Sequence, residues 1–235
     1  MTPFYVERLA GDIAHLSGEE AHHCIKVMRK KVGEDIVAID GQGHMLVCRI
    51  TALGKDSLEM RIVERHTGWG EKEQQIALLI SPLHKPDRFE WLMEKSVELG
   101  VTDIYPYVGK HTVKTGIRKD RMERIMIAAL KQCMRSKLPT IHESESLKKT
   151  IQAVQGDIKL IAHADLGKPL QTLGCNWEAA KSVVILIGPE GDFSQEELDD
   201  ALSKGFLGVS LGKNRLRSET AAIHLLGLVK NFALY

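Results

Sequence analysis

Two short stretches of this chain put glycines, carboxylates and arginines at places where α/β proteins do chemistry. The first is Ile187-Gly188-Pro189-Glu190-Gly191-Asp192-Phe193-Ser194, which follows an all-apolar run and leads into a helix signal. Glycine lets backbone amides come close to a ligand, and ligands of open α/β sheets sit beyond the carboxyl ends of strands. A tight turn with no ligand would look the same. The second is Leu211-Gly212-Lys213-Asn214-Arg215-Leu216-Arg217-Ser218-Glu219-Thr220-Ala221, again between an apolar run and a helix. A solvated loop capped by Ser218 is its plain reading. Two such loops at one sheet edge would form two walls of a pocket. Neither stretch is a Walker A loop or a GxGxxG turn, so ATP and NAD are poorly supported.

A third stretch carries charge rather than a motif. Lys110, Lys114, Arg118, Lys119, Arg121, Arg124, Lys131, Arg135 and Lys137 are opposed only by Asp120 and Glu123, while the whole chain, with 32 basic and 31 acidic residues, sums to +1. Charge runs are usually solvated faces. One this one-sided also suits phosphate. A fourth, His22-His23-Cys24-Ile25-Lys26-Val27-Met28-Arg29-Lys30-Lys31, offers Lys26, Arg29, Lys30 and Lys31 to an anion, and reads equally well as a solvated helix end. Adjacent histidines do not share a helical face, so no metal site is expected.

The elements that must position these residues fall into two grammars. Up to about residue 65 the chain reads as β: Asp35–Asp40, His44–Leu53 and Ser57–Glu64 are short alternating runs separated by turns at Asp40-Gly41-Gln42-Gly43 and Gly54-Lys55-Asp56. One amphipathic helix, opened by a capping box at Ser17-Gly18-Glu19-Glu20 and running through Arg29, interrupts them. Thr67–Glu73 is polar and glycine-containing, as linkers are. Strands then alternate with helices: strands over Gln75–Ser81, Thr102–Tyr107, Ile158–His163, Ser182–Ile187 and Leu207–Leu211, helices over Asp87–Leu99, Arg118–Arg135, Ser194–Lys204 and Ser218–Ala233. That alternation predicts a parallel α/β sheet. The split predicts domains at 1–68 and 74–235.

With 235 residues, 43% hydrophobic, the chain has enough apolar material for a sizeable core. No apolar run is long enough to span a bilayer, and Met1–Ala10 has no signal-peptide core. Cys24, Cys48, Cys133 and Cys175 are widely spaced without a CxxC pair. Free thiols in a reducing cytoplasm are the expectation.

Together these stretches resemble the ribosomal RNA small subunit methyltransferase E family, of the knotted SPOUT superfamily. The resemblance rests on five motifs in order. They are His23 with Val27-Met28-Arg29 and Gly33; Lys95-Ser96-Val97-Glu98-Leu99-Gly100-Val101; Gln132-Cys133 with Arg135 and Pro139; Leu186-Ile187-Gly188-Pro189-Glu190-Gly191; and Leu211-Gly212 with Leu216-Arg217-Ser218-Glu219-Thr220. It implies an N-terminal PUA-like β-barrel that binds RNA and a C-terminal α/β domain with a deep trefoil knot. It implies a homodimer through the knot region, S-adenosylmethionine as methyl donor, and methylation of uridine N3 in 16S ribosomal RNA, with the assembled 30S particle as substrate. The cofactor would lie against His163, Ile187, Gly188, Pro189, Glu190, Gly191, Leu211, Gly212, Asn214, Leu216 and Ser218. Gly188, Gly191 and Gly212 would leave it room. Arg217 would stabilise charge on the uracil carbonyls, with Glu219 as its orienting partner or as an assisting base; a pairing of Arg217 with Glu190 is the alternative. RNA would be held by Lys26, Arg29, Lys30, Lys114, Arg118, Arg121 and Arg135. The chain departs from the family pattern at Asp192, where a second glycine is usual, at Lys213-Asn214-Arg215, and in lacking an arginine within Met1–Tyr5, for which Arg8 is the nearest substitute. The departures keep open a binding-only assembly factor, and a SPOUT methyltransferase acting on another RNA has the same motifs.

Overall fold

The computed structural model describes residues 2–232, so Ala233, the expected last residue of the final helix, lies outside the described residues. The chain divides into two compact units, one of residues 1–72 with 127–138, the other of 73–126 with 139–235.

The first unit is a six-stranded sheet. Its strands are β1 (Phe4–Tyr5), β2 (Arg8–Ala10), β3 (Ile13–Ser17), β4 (Asp35–Ile39), β5 (His44–Leu53) and β6 (Ser57–Thr67), in the order β1-β4-β5-β6-β3-β2. The alternation read in the sequence sends Ile36, Ala38, Leu46, Cys48, Ile50, Leu58 and Met60 into one core.

The first helix differs from its sequence reading. α1 (Gly18–His22) passes into a π-helical turn, His23–Val27, and stops there; Arg29 has φ 54°. Ser17 stands at the N-cap without a side-chain bond. Glu20, the expected second half of the box, accepts from the Tyr5 N–H at 3.2 Å and pairs with Lys131. Two tertiary donors outbid a local cap.

The expected linker is also tied down. Glu71 receives Arg135 Nη2 and the N–H groups of Ser136 and Lys137 at 2.8–2.9 Å, and Ser136 Oγ donates to the Trp69 carbonyl at 2.6 Å.

The second unit is a seven-stranded, all-parallel sheet of β7 (Gln75–Ile80), β8 (Asp103–Val108), β9 (Thr140–Ile141), β10 (Glu145–Ser146), β11 (Ile158–Ala162), β12 (Ser182–Ile187) and β13 (Leu207–Val209). Its order is β10-β8-β7-β12-β11-β13, with β9 also on β8. The central β12 is buried from Val183 to Ile187, which is why it reads as an unbroken apolar run rather than an alternating one. The helices are α2 (Pro86–Glu98), α3 (Lys119–Cys133), whose residues from Ile127 on belong to the first unit, α4 (Leu147–Ala153), α5 (Gln195–Ser203) and α6 (Ser218–Phe232). At α5, by contrast, a capping box forms: Ser194 Oγ accepts from Glu197 N–H and Glu197 accepts from Ser194 N–H. Because every strand runs the same way, the segments that follow β7, β8, β11, β12 and β13 all emerge at one edge of the sheet. The two chemistry-bearing stretches are among them.

The cysteines are free thiols. Among the described residues no helix is long and apolar enough to cross a membrane and no cluster of metal-ligating side chains occurs.

Candidate active site

A cavity of about 430 Å³ opens at that sheet edge, within the size range of cofactor pockets. Its walls are the loops after β11, β12 and β13, with Arg88 of α2. Of the expected cofactor contacts, His163, Ile187, Gly188, Pro189, Glu190, Leu211, Gly212, Asn214, Leu216 and Ser218 line it. Gly191 does not. Arg217 lines it and is exposed; Glu219, the next helical residue but one, is buried behind it.

Each wall is fixed by identifiable bonds. The Tyr107 hydroxyl, fully buried on β8, donates to the Ile187 carbonyl at 2.6 Å. Burial drives its phenol well above the ordinary value, so it stays protonated and keeps its donor. Ser218 Oγ donates to the Gly188 carbonyl at 2.9 Å. The carboxylate of Glu190 accepts the His84 N–H at 2.8 Å. Glu197, besides closing the α5 cap, accepts the Lys110 N–H at 2.8 Å. Strand ends, loops and helix starts are thus cross-braced before any ligand arrives.

The glycines do work other than that expected of two of them. A Cβ on Gly188 would meet the Phe193 ring at 3.0 Å, and one on Gly191 would meet His111 Cβ at 2.9 Å. Both are small because protein packs against them. Gly212 alone of the three faces open space, and its φ of +115° excludes other residues at low cost. Gly167 is tighter still: a Cβ there would lie 2.1 Å from the Ser210 nitrogen. Its loop passes directly over β13, with Ser210 N–H bonded to the Lys168 carbonyl at 3.0 Å.

Asp192, the unusual residue after Gly191, adopts φ 65°, a conformation that glycine takes without strain and aspartate more readily than most. Its carboxylate offsets the cost by accepting the Phe193 N–H at 2.9 Å, and its carbonyl bonds His111 Nδ1 at 2.9 Å. Asp192 Oδ1 also faces His163 Nε2 at 3.9 Å. His163 Nδ1 accepts the Asp165 N–H at 3.3 Å, which places the proton of the neutral ring on Nε2, toward Asp192.

The charge arrangement contains a residue that sequence reasoning missed. Arg88 Nη1 lies 3.8 Å from Glu190 Oε1 and Arg88 Nε lies 3.6 Å from Glu219 Oε1. The partnership expected of Arg217, with Glu219 or with Glu190, is held by Arg88 instead. Arg217 has no ion-pair partner among the described residues. Glu219 Oε2 is buried without a hydrogen-bond donor, an arrangement that costs energy unless something fills it. Arg88 had a legible signal: it sits just inside a helix that begins with Pro86 at the end of β7, the same strand-end position as the other two loops.

The basic stretch is only partly available. Arg135 is buried against Glu71 at 2.8 Å, Arg121 binds Glu90 through two nitrogens, and Lys119, Arg124 and Lys131 pair with Glu143, Asp120 and Glu20. Lys114 and Arg118 have no ion-pair partner among the described residues. On the first unit Lys26 and Arg29 are exposed, and Lys30 Nζ reaches the Asp35 carbonyl at 3.5 Å.

Comparison with known proteins agrees with this geometry. Residues 70–230 match the RNA methyltransferase domain family, and residues 16–63 match the RNA methyltransferase PUA domain. The ribosomal RNA small subunit methyltransferase E of Mesomycoplasma hyopneumoniae is 30% identical over 232 residues, covering 96% of this chain and 97% of that protein. A crystal structure of a probable rRNA-methyltransferase from Porphyromonas gingivalis superposes with a TM-score of 0.89 at 30% identity, covering 100% and 99% of the two chains. The Neisseria gonorrhoeae ribosomal RNA small subunit methyltransferase E, crystallised bound to S-adenosyl methionine, gives 0.85 at 28% identity, covering 98% and 97%. With an α/β domain of this topology behind a PUA domain, and relatives aligned from end to end, this chain belongs to the ribosomal RNA small subunit methyltransferase E family.

Proposed function

We propose that this protein methylates N3 of a uridine in 16S ribosomal RNA, using S-adenosylmethionine, with the assembled 30S particle as substrate. The observation that carries the reading is the cavity of about 430 Å³ at the ends of β11, β12 and β13, lined by Arg217, which has no ion-pair partner among the described residues, and by Glu190, with Arg88 joining Glu190 to the buried Glu219. The residues fit such a cofactor. Gly188, Leu211 and Leu216 are at the wall, Gly212 presents an open face, and Glu219 has a carboxylate oxygen without a hydrogen-bond partner. When bound there, S-adenosylmethionine supplies an electrophilic methyl group.

The protein's part is positioning and proton management. Uridine N3 carries a proton that must leave, and the resulting charge spreads to the two ring carbonyls. Arg217 at the rim stabilises that charge. Glu219, held by Arg88 through one oxygen and unpaired at the other, is the acceptor for the proton. N3 lies on the Watson–Crick edge, so the base must be unpaired or drawn out of its stack. The PUA-like domain, taken as residues 1–68, grips RNA through Lys26, Arg29 and Lys30, and the methyltransferase domain, 74–235, through Lys114 and Arg118.

A closed PUA-like barrel, a C-terminal trefoil knot and a homodimer through the knot region belong to the same reading. The strand order supports the knot: β12 follows β11 in the chain yet enters between β7 and β11. The free thiols favour a cytoplasmic setting.

The test is transfer of labelled methyl from S-adenosylmethionine to small ribosomal subunits lacking the modification, followed by nucleoside analysis. Label in 3-methyluridine supports the whole assignment. Label in another nucleoside, or only with transfer RNA, moves the substrate, and cofactor binding without transfer to any RNA leaves a binding-only factor.

A further inference from the structure

A second cavity, of about 290 Å³, opens beside α2 within the same unit. Its walls are apolar: Leu83, Phe89, Ile117 and Met122 line it, with Pro82 and Pro86. Its rim is charged. Glu90, Lys114, Arg118 and Arg121 stand around the mouth. Arg121 neutralises Glu90, one of the two bonds being 2.7 Å long, and leaves Lys114 and Arg118 as uncompensated cations. The Arg121 hydrogen bond, aided by the charges of Arg121, Arg118 and Lys114, holds the Glu90 carboxyl below its usual range. Arg88 and Phe89 are successive residues of α2, so about 100° of helical turn separates the wall of the methyl-transfer cavity from the wall of this one.

We propose that this cavity is a subsite for one unstacked nucleobase next to the target uridine, its ring among Leu83, Phe89, Ile117 and Met122 and its phosphate against Lys114 and Arg118. The inference rests on the RNA reading and deepens it. An apolar slot with cations only at its mouth matches a nucleotide, whose base is flat and weakly polar and whose phosphate is charged. Drawing one base out of a single strand leaves its neighbours unstacked, and proteins that read such strands give the bases apolar seats. The rim's charge selects nucleic acid over a second copy of this face, because two copies would set Lys114 and Arg118 against their own kind.

The experiment uses the full chain saturated with S-adenosylhomocysteine. Fluorescence anisotropy compares a labelled uridine pentanucleotide with a pentamer of the same phosphates carrying abasic residues. The wild type should bind the uridine pentamer at least fivefold more tightly. Ile117→Glu should abolish that preference, and Arg118→Gln should weaken both pentamers about threefold while leaving S-adenosylhomocysteine affinity unchanged. Equal binding of the two pentamers by the wild type overturns the proposal without any variant, so it stays testable if Ile117→Glu fails to fold. A change in oligomeric state with Ile117→Glu, at unaltered base preference, would make the cavity a protein contact and also overturn it. These readouts need no catalysis, so failed methyl transfer and a failed base subsite are distinguishable.

Discussion

Ser218 Oγ donates to the carbonyl of Gly188 at 2.9 Å, fastening the first residue of α6 to the first residue beyond β12. Ser218 is only 9% exposed and Gly188 is half-buried, and the bond fixes the separation of the two loops on either side of the cavity. Ser218→Ala should cost about 1 kcal/mol of stability, since it removes the side-chain donor to the Gly188 carbonyl. It should also weaken S-adenosylmethionine binding severalfold, because the loops lose their spacing. Thermal unfolding and calorimetric titration read both. Unchanged cofactor affinity in a destabilised variant would make the bond purely structural.

Arg88 lies between two carboxylates, Glu190 on the cavity wall and the buried Glu219, and is the ion-pair partner of both. Arg88→Met keeps most of the volume and removes the charge. It should destabilise the fold by about 2 kcal/mol or more, because Glu219 is then buried unpaired. Adding Glu219→Gln should restore part of that loss, so the two changes should be non-additive in a double-mutant cycle. Strict additivity would show that Arg88 and Glu219 do not interact. On the proposed mechanism Arg88→Met should also lower kcat by about a hundredfold, more than it raises KM.

The basic stretch separates into structural and available cations, and the two classes predict opposite phenotypes. Arg135→Gln breaks a buried pair with Glu71 and should cost about 3 kcal/mol. Arg118 is exposed, and Arg118→Gln should leave stability within about 0.5 kcal/mol. It should instead flatten the salt dependence of RNA affinity, by roughly 0.7–0.9 in the slope of log K against log salt. If Arg135→Gln were silent in unfolding and Arg118→Gln were not, the assignment would be reversed.

How much of this was legible follows from the physics of each element. The parallel sheet announced itself through Ser182–Ile187, because a strand covered on both faces has nothing but apolar residues to show. The α5 cap was legible because its two partners are three residues apart. Glu20 carried the same local signal and was drawn away by Tyr5 and Lys131, which are 15 and 111 residues distant. Sequence spacing contains no information about such competitors. Arg135 looked like a phosphate ligand for the same reason: its partner Glu71 is 64 residues away. Gly167 gave no sign at all, since only the passage of its loop over β13 forbids a side chain. Of the candidate site, the residues on the loops after β12 and β13 were readable from strand-end position, and Arg88 at the start of α2 offered the same signal without being picked out, while Tyr107 of β8, which braces the Ile187 carbonyl, needed the fold.

Cys48 should give the protein an alkaline limit of stability. Burial in the first unit's core pushes its thiol from the ordinary 9.0 to about 11. Between those values the unfolded chain has released the proton and the folded chain retains it. The unfolded state therefore binds fewer protons, and stability must fall as pH rises. The contribution is fully present below pH 9.0 and is lost as pH climbs toward about 11, a swing of about 2–3 kcal/mol. Tyr107, raised by burial from 10.0, adds a loss of the same sign at higher pH. Urea unfolding of wild type and Cys48→Ala across this range isolates the thiol. The variant should start about 1 kcal/mol lower from its smaller side chain, and the gap should close and reverse as pH increases. Parallel curves would mean that Cys48 does not titrate differently in the folded and unfolded states.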